Sequence, residues 1–290
     1  MSTTSAIAHT GPGLSWQPHP DVWLLVAALV GGYVAAVRSQ WARQMPRTVT
    51  TSHVVCFALG VAALWLAVDW PMDALAAQLL SVHMVQHLLL ALVAAPLLIL
   101  GVPGWLLRRL LRPAPVFAVA RVLTRPLPAL LIFNAWMVLY HWPAVLDPSV
   151  ENDWVHLIAH AVWVIAGLIM WWPVLSPLPE LPHLSYLSRM VYLFAQSIVP
   201  TVPASFLTFS KTSLYATYNG GPDLWGLAAL SAITDQQMAG LLMKIGGGLL
   251  LWGVILALFL RWFSEEQTGG PDPLYWRDMR DQVETATSEA

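Results

Sequence analysis

Histidine is the residue type in this sequence that is best suited to bind a metal ion or a haem. The chain has nine histidines and one cysteine, Cys56, so neither an internal disulfide nor a CxxC motif is available. Four histidines form two pairs with a spacing of four residues, His83 with His87 and His156 with His160. In a helix this spacing places both imidazoles on one face, where they can bind the same ion. A metal site would therefore be built from histidine, methionine and carboxylate side chains.

The segments that carry these histidines are apolar and of bilayer length. The chain is 57% apolar and only 10% charged, whereas soluble domains are about 25% charged, and its mean hydropathy is +0.62. A crossing helix needs about 20 mostly apolar residues. We predict an all-α polytopic membrane bundle of about seven transmembrane helices, at roughly 21–37, 53–70, 76–100, 127–143, 154–172, 188–209 and 236–262. The predicted domains are a short extracytoplasmic tail, a seven-helix membrane domain and an acidic cytoplasmic tail, at 1–20, 21–262 and 263–290.

The basic residues predict the direction of these helices. All 12 arginines lie in, or at the edge of, every second connecting segment or in the C-terminal tail, whereas the opposite loops contain only Lys211. Loops rich in Arg and Lys stay in the cytoplasm. We therefore expect the N-terminus outside, the C-terminus in the cytoplasm, and a multi-pass protein of the bacterial cytoplasmic (inner) membrane. The Arg-rich segment 103–126 is predicted to be either an interfacial segment on anionic lipid or a basic loop.

This orientation places five histidines in the outer half of the membrane. The third and fifth spans begin there and the fourth ends there, and they carry His83, His87, His141, His156 and His160. Ionisable groups inside a bilayer are costly and are usually functional. Asp235, at the outer start of the seventh span, is a candidate ligand or an acceptor for an imidazole N–H. The predicted metal site comprises these five histidines and Asp235, and the alternative for any single histidine is an interhelical hydrogen bond.

The residue types alone do not select one metal. Imidazole binds copper, zinc, iron and nickel, and copper binds most tightly at equal availability. Met84 and Met238 would suit Cu(I), but a methionine in a membrane helix usually serves packing. The other four histidines are predicted to lie in solvent or at the membrane interface: His9, His19, His53 and His183.

Lys244 lies in the middle of the last predicted span. Its position resembles that of the retinal-linking lysine of microbial rhodopsins, but the third span lacks the carboxylate that would act as counter-ion. We therefore predict that Lys244 snorkels, pairs internally or faces a cavity. Pro200 and Pro203 predict a kink in the outer half of the sixth span.

Short motifs in several spans resemble the multi-span CtaG-type assembly factors of bacterial cytochrome c oxidase, over about residues 20–262. The motifs are, in order, His83-Met84-Val85-Gln86-His87, Ala95-Pro96, Gly101-Val102-Pro103, Tyr140-His141-Trp142-Pro143, Trp172-Pro173-Val174 and Asp235-Gln236-Gln237. The resemblance implies a seven-helix protein, not an enzyme, that assists copper delivery to the oxidase. It implies the five histidines and Asp235 as site residues. The implied partners are oxidase subunits or other assembly factors, besides the lipid bilayer, and no nucleic acid.

Two other functions fit the same residues. A haem-binding electron carrier would use outer histidines for one haem, but the opposite face offers only His53, so transfer across the whole bilayer is poorly supported. A non-metal scaffold or transporter would use the polar residues to line a cavity. The cofactor separates these three hypotheses. Copper delivery requires copper, with zinc or haem less favoured, the electron carrier requires haem, and the scaffold or transporter requires no cofactor.

Overall fold

The computed structural model describes residues 16, 18–42, 49–218 and 230–268. Over this part of the chain every regular element is helical and no strand occurs, as predicted. Most of both predicted tails, including His9, lies outside the described residues.

The described residues form fourteen α-helices and two π-helical segments, which we call π1 and π2. The first half of the chain contains α1 Pro20–Ala42, α2 Thr51–Val68, α3 Met72–Ala76, α4 Leu80–Leu88, π1 Leu89–Ala94, α5 Ala95–Gly101, α6 Gly104–Leu110 and α7 Ala114–Leu123. The second half contains α8 Pro126–Tyr140, α9 Pro143–Glu151, α10 Asp153–Leu175, α11 Tyr186–Ile198, α12 Thr201–Phe209, α13 Ala232–Leu241, π2 Leu242–Gly246 and α14 Gly247–Thr268.

Six helical stretches of the described chain are long and apolar enough to cross a membrane, where we predicted about seven. They are Pro20–Ser39, Thr51–Val68, Leu80–Gly101, Asp153–Leu175, Tyr186–Phe209 and Ala232–Gln267. The predicted fourth span corresponds to α8, which has 15 residues and is therefore about 22 Å long. The preceding helix α7 meets α8 at an angle of 81°, so the count is seven only if this bent pair is one span. Pro126 at the start of α8 explains the break, because a residue before proline is disfavoured in the helical conformation.

Three of the crossing stretches contain an internal irregularity. The third changes from α4 to π1 to α5, and the last changes from α13 to π2 to α14. The stretch Tyr186–Phe209, which is our predicted sixth span, is interrupted between α11 and α12, where Pro200 is the N-cap residue of α12. A helix break therefore lies where Pro200 predicts a kink.

Helix α10 occupies a central position and packs against α8, π1 and α5. Its approach to π1 requires Gly167, because a Cβ atom at this position would lie 2.9 Å from Cα and O of Ala91. Four residues later, Trp171 donates an indole hydrogen bond of 3.0 Å to the carbonyl of Ala91. This contact fixes α10 against the span that carries His83 and His87.

Candidate metal centre

The five predicted histidines form one cluster at one end of the helix bundle. His83 and His87 come from α4, His141 directly follows α8, and His156 and His160 come from α10. Within the pairs, the ring centroids are 4.3 Å apart for His83 and His87 and 4.1 Å apart for His156 and His160. Between helices, the separations are 5.5 Å for His83 to His156, 6.0 Å for His87 to His141 and 6.2 Å for His87 to His160. The five histidines therefore lie near one another, and their role as metal ligands stays a prediction.

Local sequence positions these side chains at the ends of their helices. Asn152 caps α10, since its side-chain oxygen accepts from the backbone N–H groups of Trp154 and Val155. Asparagine is among the residues preferred at this position, and the cap places His156 in the first turn of α10. Pro143 begins α9, so α8 ends before it and His141 lies at the turn between the two helices.

The cluster contains many buried ring nitrogens without a hydrogen-bond partner. They are both nitrogens of His83, both of His87, Nε2 of His141, Nδ1 of His156 and Nε2 of His160. An unpaired buried polar group costs about 1–3 kcal/mol, and folded proteins keep few of them. A metal ion is a ligand of the right kind for such a cluster, because it binds the lone pairs of neutral imidazoles.

The protonation of His141 follows from its own contact. Its Nδ1 lies 2.6 Å from the carbonyl oxygen of Met137. A carbonyl only accepts, so Nδ1 carries the proton and Nε2 holds the free lone pair. A backbone carbonyl on the other ring nitrogen is the usual way in which a metal-binding histidine is oriented.

The separations between the imidazole rings can be compared with those of imidazoles that bind one metal ion. As placed in the structure, no three His, Cys, Asp or Glu side chains of the described residues form a group that could hold a metal ion. Two imidazoles on one tetrahedral ion have centroids roughly 5 Å apart, since each metal–nitrogen bond is about 2 Å. The separations of 5.5 to 6.2 Å between helices are about 1 Å larger. Binding of one ion by imidazoles from different helices would therefore require these side chains to move closer together.

A family model described as cytochrome c oxidase caa3 assembly factor (Caa3_CtaG) matches residues 31–265. The chain belongs to this family. The match confirms the resemblance that the motifs indicated, and it covers α2 to α13 completely.

Relatives of this caa3 assembly factor family member occur in mycobacteria. An uncharacterized protein of Mycobacterium leprae (strain TN) is 25% identical over 251 residues, which are 81% of this chain and 37% of the relative. An uncharacterized protein of Mycobacterium bovis is 24% identical over 230 residues, which are 74% of this chain and 34% of the relative. The chain thus spans about a third of the length of the curated relatives it matches. No solved structure matches the chain.

Aromatic side chains enclose the histidines of this family member. Trp163 stacks on His87, with ring centroids 4.5 Å apart. Tyr140 lies 5.0 Å from His87 and 6.1 Å from His83 on the same measure. Two aromatic rings therefore pack directly against the pair His83 and His87.

The segment 210–218 covers the cluster at the end of the bundle. The hydroxyl of Tyr215 donates to the carbonyl of His141 at 2.8 Å, and that of Tyr218 donates to Ala76 at 3.2 Å. Asp147 of α9 accepts from the backbone N–H of Thr217 at 3.3 Å. Burial, with a contribution from the charge of Asp147, raises the pKa of Tyr215. The two tyrosines therefore hold residues 211–218, which are not helical, against the bundle.

Asp235 contacts the start of α4 in this structure. One carboxylate oxygen accepts from the backbone N–H of Leu80 at 2.6 Å, and the other accepts from the backbone N–H of Ser81 at 3.2 Å and from its hydroxyl. Asp235 therefore caps the helix that carries His83 and His87, and no hydrogen bond to a histidine is among its contacts in the described residues.

The prediction that His19 is solvated is wrong. Its Nδ1 lies 3.1 Å from a carboxylate oxygen of Asp69, and its side chain is only 21% exposed. Asp69 also accepts from the indole N–H groups of Trp23 and Trp65. Sequence reasoning missed this site because the partners lie about 50 residues apart.

The two remaining described histidines agree with their predictions. His53 is partly exposed at the start of α2, where its side chain takes part in a capping box with Thr50. His183 is exposed and lies beside the guanidinium of Arg189. Neither contacts the cluster.

Lys244 lies in π2, where its ammonium group donates to the hydroxyl of Thr201. It also borders a cavity that His87 and His141 line from another side. Lys244 therefore has a partner within the protein and also faces a cavity, as two of its three predictions state.

Proposed function

We propose that this protein binds copper as a cargo at the five-histidine cluster and assists its delivery to cytochrome c oxidase during assembly. The observation that carries the proposal is the set of buried imidazole nitrogens without partners. Membership of the caa3 assembly factor family supplies the oxidase as the client.

The chemistry of the donor set supports copper over harder cations. Mg²⁺ and Ca²⁺ prefer carboxylate and carbonyl oxygens, whereas imidazole suits copper and zinc, and copper binds more tightly of the two. Asp235, the carboxylate that the sequence analysis assigned to the site, already accepts hydrogen bonds from three donors of α4. His83, His87, His141, His156 and His160 are the residues that would hold the ion, and Asp235 would position α4.

Delivery also requires that the ion can be reached. The cluster lies at one end of the bundle, and His156 at its edge is only partly buried, whereas His83 and His87 are buried. We place this end at the outer face of the bacterial inner membrane, because the arginine-rich segments lie at the other end. An acceptor on the oxidase could then approach from the outer side.

Metal analysis of the full chain tests this proposal. The protein is purified in mild detergent, and bound metals are measured by mass spectrometry together with a visible spectrum. We expect about one equivalent of copper and no Soret band. The variant His83→Ala/His87→Ala should lose the copper, and His183→Ala, which changes an exposed histidine outside the cluster, should retain it.

Two outcomes would contradict the proposal. Absence of bound metal after loading under both reducing and oxidising conditions would exclude a copper carrier. A Soret band that disappears in the His83→Ala/His87→Ala variant would show a haem protein instead. The client is tested separately by deleting the protein and measuring the copper content of the oxidase, which should fall and be restored by the wild type but not by the double variant.

A further inference from the structure

A cavity borders the histidine cluster between the helices. It is lined from α4, α8 and α10 on one side and from α11, π2 and α14 on the other. Its volume is about 50 Å³, whereas one water molecule needs about 10–15 Å³ on this measure. The cavity therefore has room for a small ligand. Neither copper binding at the histidines nor delivery to the oxidase, as proposed above, requires this cavity.

Both π-helical segments of the described chain border this cavity. Ala91 and Leu92 of π1 and Met243 and Lys244 of π2 are among its lining residues. π-helical turns are rare and occur frequently at functional sites. Their coincidence at one cavity indicates that this part of the bundle is shaped for more than packing.

Three methionines line the cavity together with two histidines of the cluster. Met84, Met137 and Met243 are buried, with exposures of 1%, 3% and 5%, and they share the cavity with His87 and His141. In a close-packed core, methionine fills gaps, whereas these side chains border open space. Met238, by contrast, is 41% exposed and does not line the cavity.

We infer that this cavity is a soft-metal subsite for Cu(I), with thioether ligands from Met84, Met137 and Met243 and imidazole ligands from His87 and His141. Thioether sulfur selects Cu(I) over harder ions, and imidazole accepts both oxidation states of copper. The inference rests on the proposed function, because it names the oxidation state in which the cargo enters the bundle.

Lys244 marks the exposed end of the cavity. Its side chain is exposed and is held by Thr201, whereas the three methionines are buried. A positive charge at this end repels a second cation. The ion is therefore expected at the buried end, beside the sulfur atoms and His87.

Cu(I) titration of the full chain in detergent tests the inference. Affinity is measured under reducing conditions against a Cu(I) chelator, and X-ray absorption reports the donor atoms; Ag(I) serves as a redox-inert substitute. We expect sulfur among the donors of the wild type. The variant Met84→Leu/Met137→Leu/Met243→Leu should lose the sulfur signal and bind Cu(I) at least about tenfold more weakly, since even residues around a metal site contribute this much.

The chain offers matched controls for this substitution. Leucine and methionine have similar volumes, so the exchange is usually tolerated in a core. Met170 is fully buried but does not line the cavity, so Met170→Leu should leave both the sulfur signal and the Cu(I) affinity unchanged.

A second variant fills the cavity without removing a ligand. Gly248 lines the cavity, and a Cβ atom there would meet nothing within 4 Å. Gly248→Leu should therefore occupy the space and weaken Cu(I) and Ag(I) binding. Gly253→Leu on the same helix, where the space is also open but outside the cavity, should not.

The outcomes separate this inference from the proposed function. Unchanged Cu(I) affinity in the triple methionine variant, with only nitrogen donors in the wild type, would overturn the subsite and leave copper binding at the histidines intact. Copper binding that is absent from the wild type would overturn both. Retention of Cu(II) binding by the triple variant, together with its loss of Cu(I) affinity, is the result we expect.

Discussion

At the scale of single residues, the carboxylates and imidazoles at the histidine end of the bundle differ in how many hydrogen-bond partners they have. Asp69 and Asp235 each accept several hydrogen bonds, whereas the imidazoles of His83 and His87 have no partner. A saturated carboxylate has few lone pairs left for an ion, so we propose that these acids position helices and that the histidines would provide the ligands.

Asp235 gives the first prediction at this scale. Asp235→Ala would leave the N–H groups of Leu80 and Ser81 unpaired, and each costs about 1–3 kcal/mol, so unfolding in detergent should require about 2–6 kcal/mol less. The folded fraction should still bind copper, more weakly because α4 is less fixed. A variant as stable as the wild type that binds no copper would instead identify Asp235 as a ligand.

Asp69 gives a prediction about pH. Burial acts to raise its pKa, but the hydrogen bonds from Trp23, His19, Trp65 and the Trp70 backbone outweigh burial, and the pKa lies below its usual value. The ionised form therefore stabilises the fold above the unfolded pKa of about 3.9, and this contribution is lost as the pH falls through the folded pKa.

The measurement is the thermal midpoint in detergent as a function of pH. The wild type should lose stability as the pH decreases below about 4, and Asp69→Asn should be less stable at pH 7 with a flatter profile in this range. Asp21→Asn, at an exposed position on α1, is the control and should behave like the wild type. Parallel profiles for the wild type and Asp69→Asn would refute this role of Asp69.

At the scale of elements, the close contact between α10 and π1 determines how the two histidine pairs face each other. Gly167 permits this contact, and the indole of Trp171 satisfies the Ala91 carbonyl of π1. Since packed helices shift together, a small separation at Gly167 moves His156 and His160 away from His83 and His87.

Substitution of Gly167 tests this relation. In Gly167→Ala the new methyl group would lie 2.9 Å from the backbone of Ala91, so overpacking should destabilise the protein by about 1–3 kcal/mol and weaken copper binding. Gly253→Ala, where the added carbon meets nothing within 4 Å, should change neither property. If Gly167→Ala binds copper normally, the contact does not set the geometry of the cluster.

At the scale of the whole molecule, the short helix α8 decides whether the described chain crosses the membrane six or seven times. The third span leaves the histidine end, and α10 starts from it, so the chain must return between them. Helix α8 makes this return, since His141 at its end lies 6.0 Å from His87. We infer from this return that α8 crosses the membrane. Since the helix is shorter than the hydrocarbon core, which is about 30 Å thick, the bilayer would adapt to it or neighbouring helices would shield its ends.

Cysteine labelling tests the topology and the predicted orientation. In a Cys56→Ser background, single cysteines replace the exposed residues Arg121, Glu151 and Lys211. An impermeant maleimide applied to intact spheroplasts should label positions 151 and 211, whereas position 121 should react only after the membrane is opened. Labelling of 121 and 151 from the same side would show that α8 does not cross.

The sequence alone determined the membrane class, the helical fold, the two histidine pairs and the family. The class follows from hydropathy and the family from short motifs, and both are local properties of the chain. The pairs follow from local periodicity, because a spacing of four residues places His83 and His87 on one face whatever surrounds the helix. Only the tertiary structure decided that the two pairs face each other, that His141 lies beside His87, that Asp235 caps α4, that His19 binds Asp69, and that Met137 and Met243 join Met84 at one cavity. The reason is that contacts between helices depend on close packing at positions such as Gly167, which periodicity along a single helix does not encode.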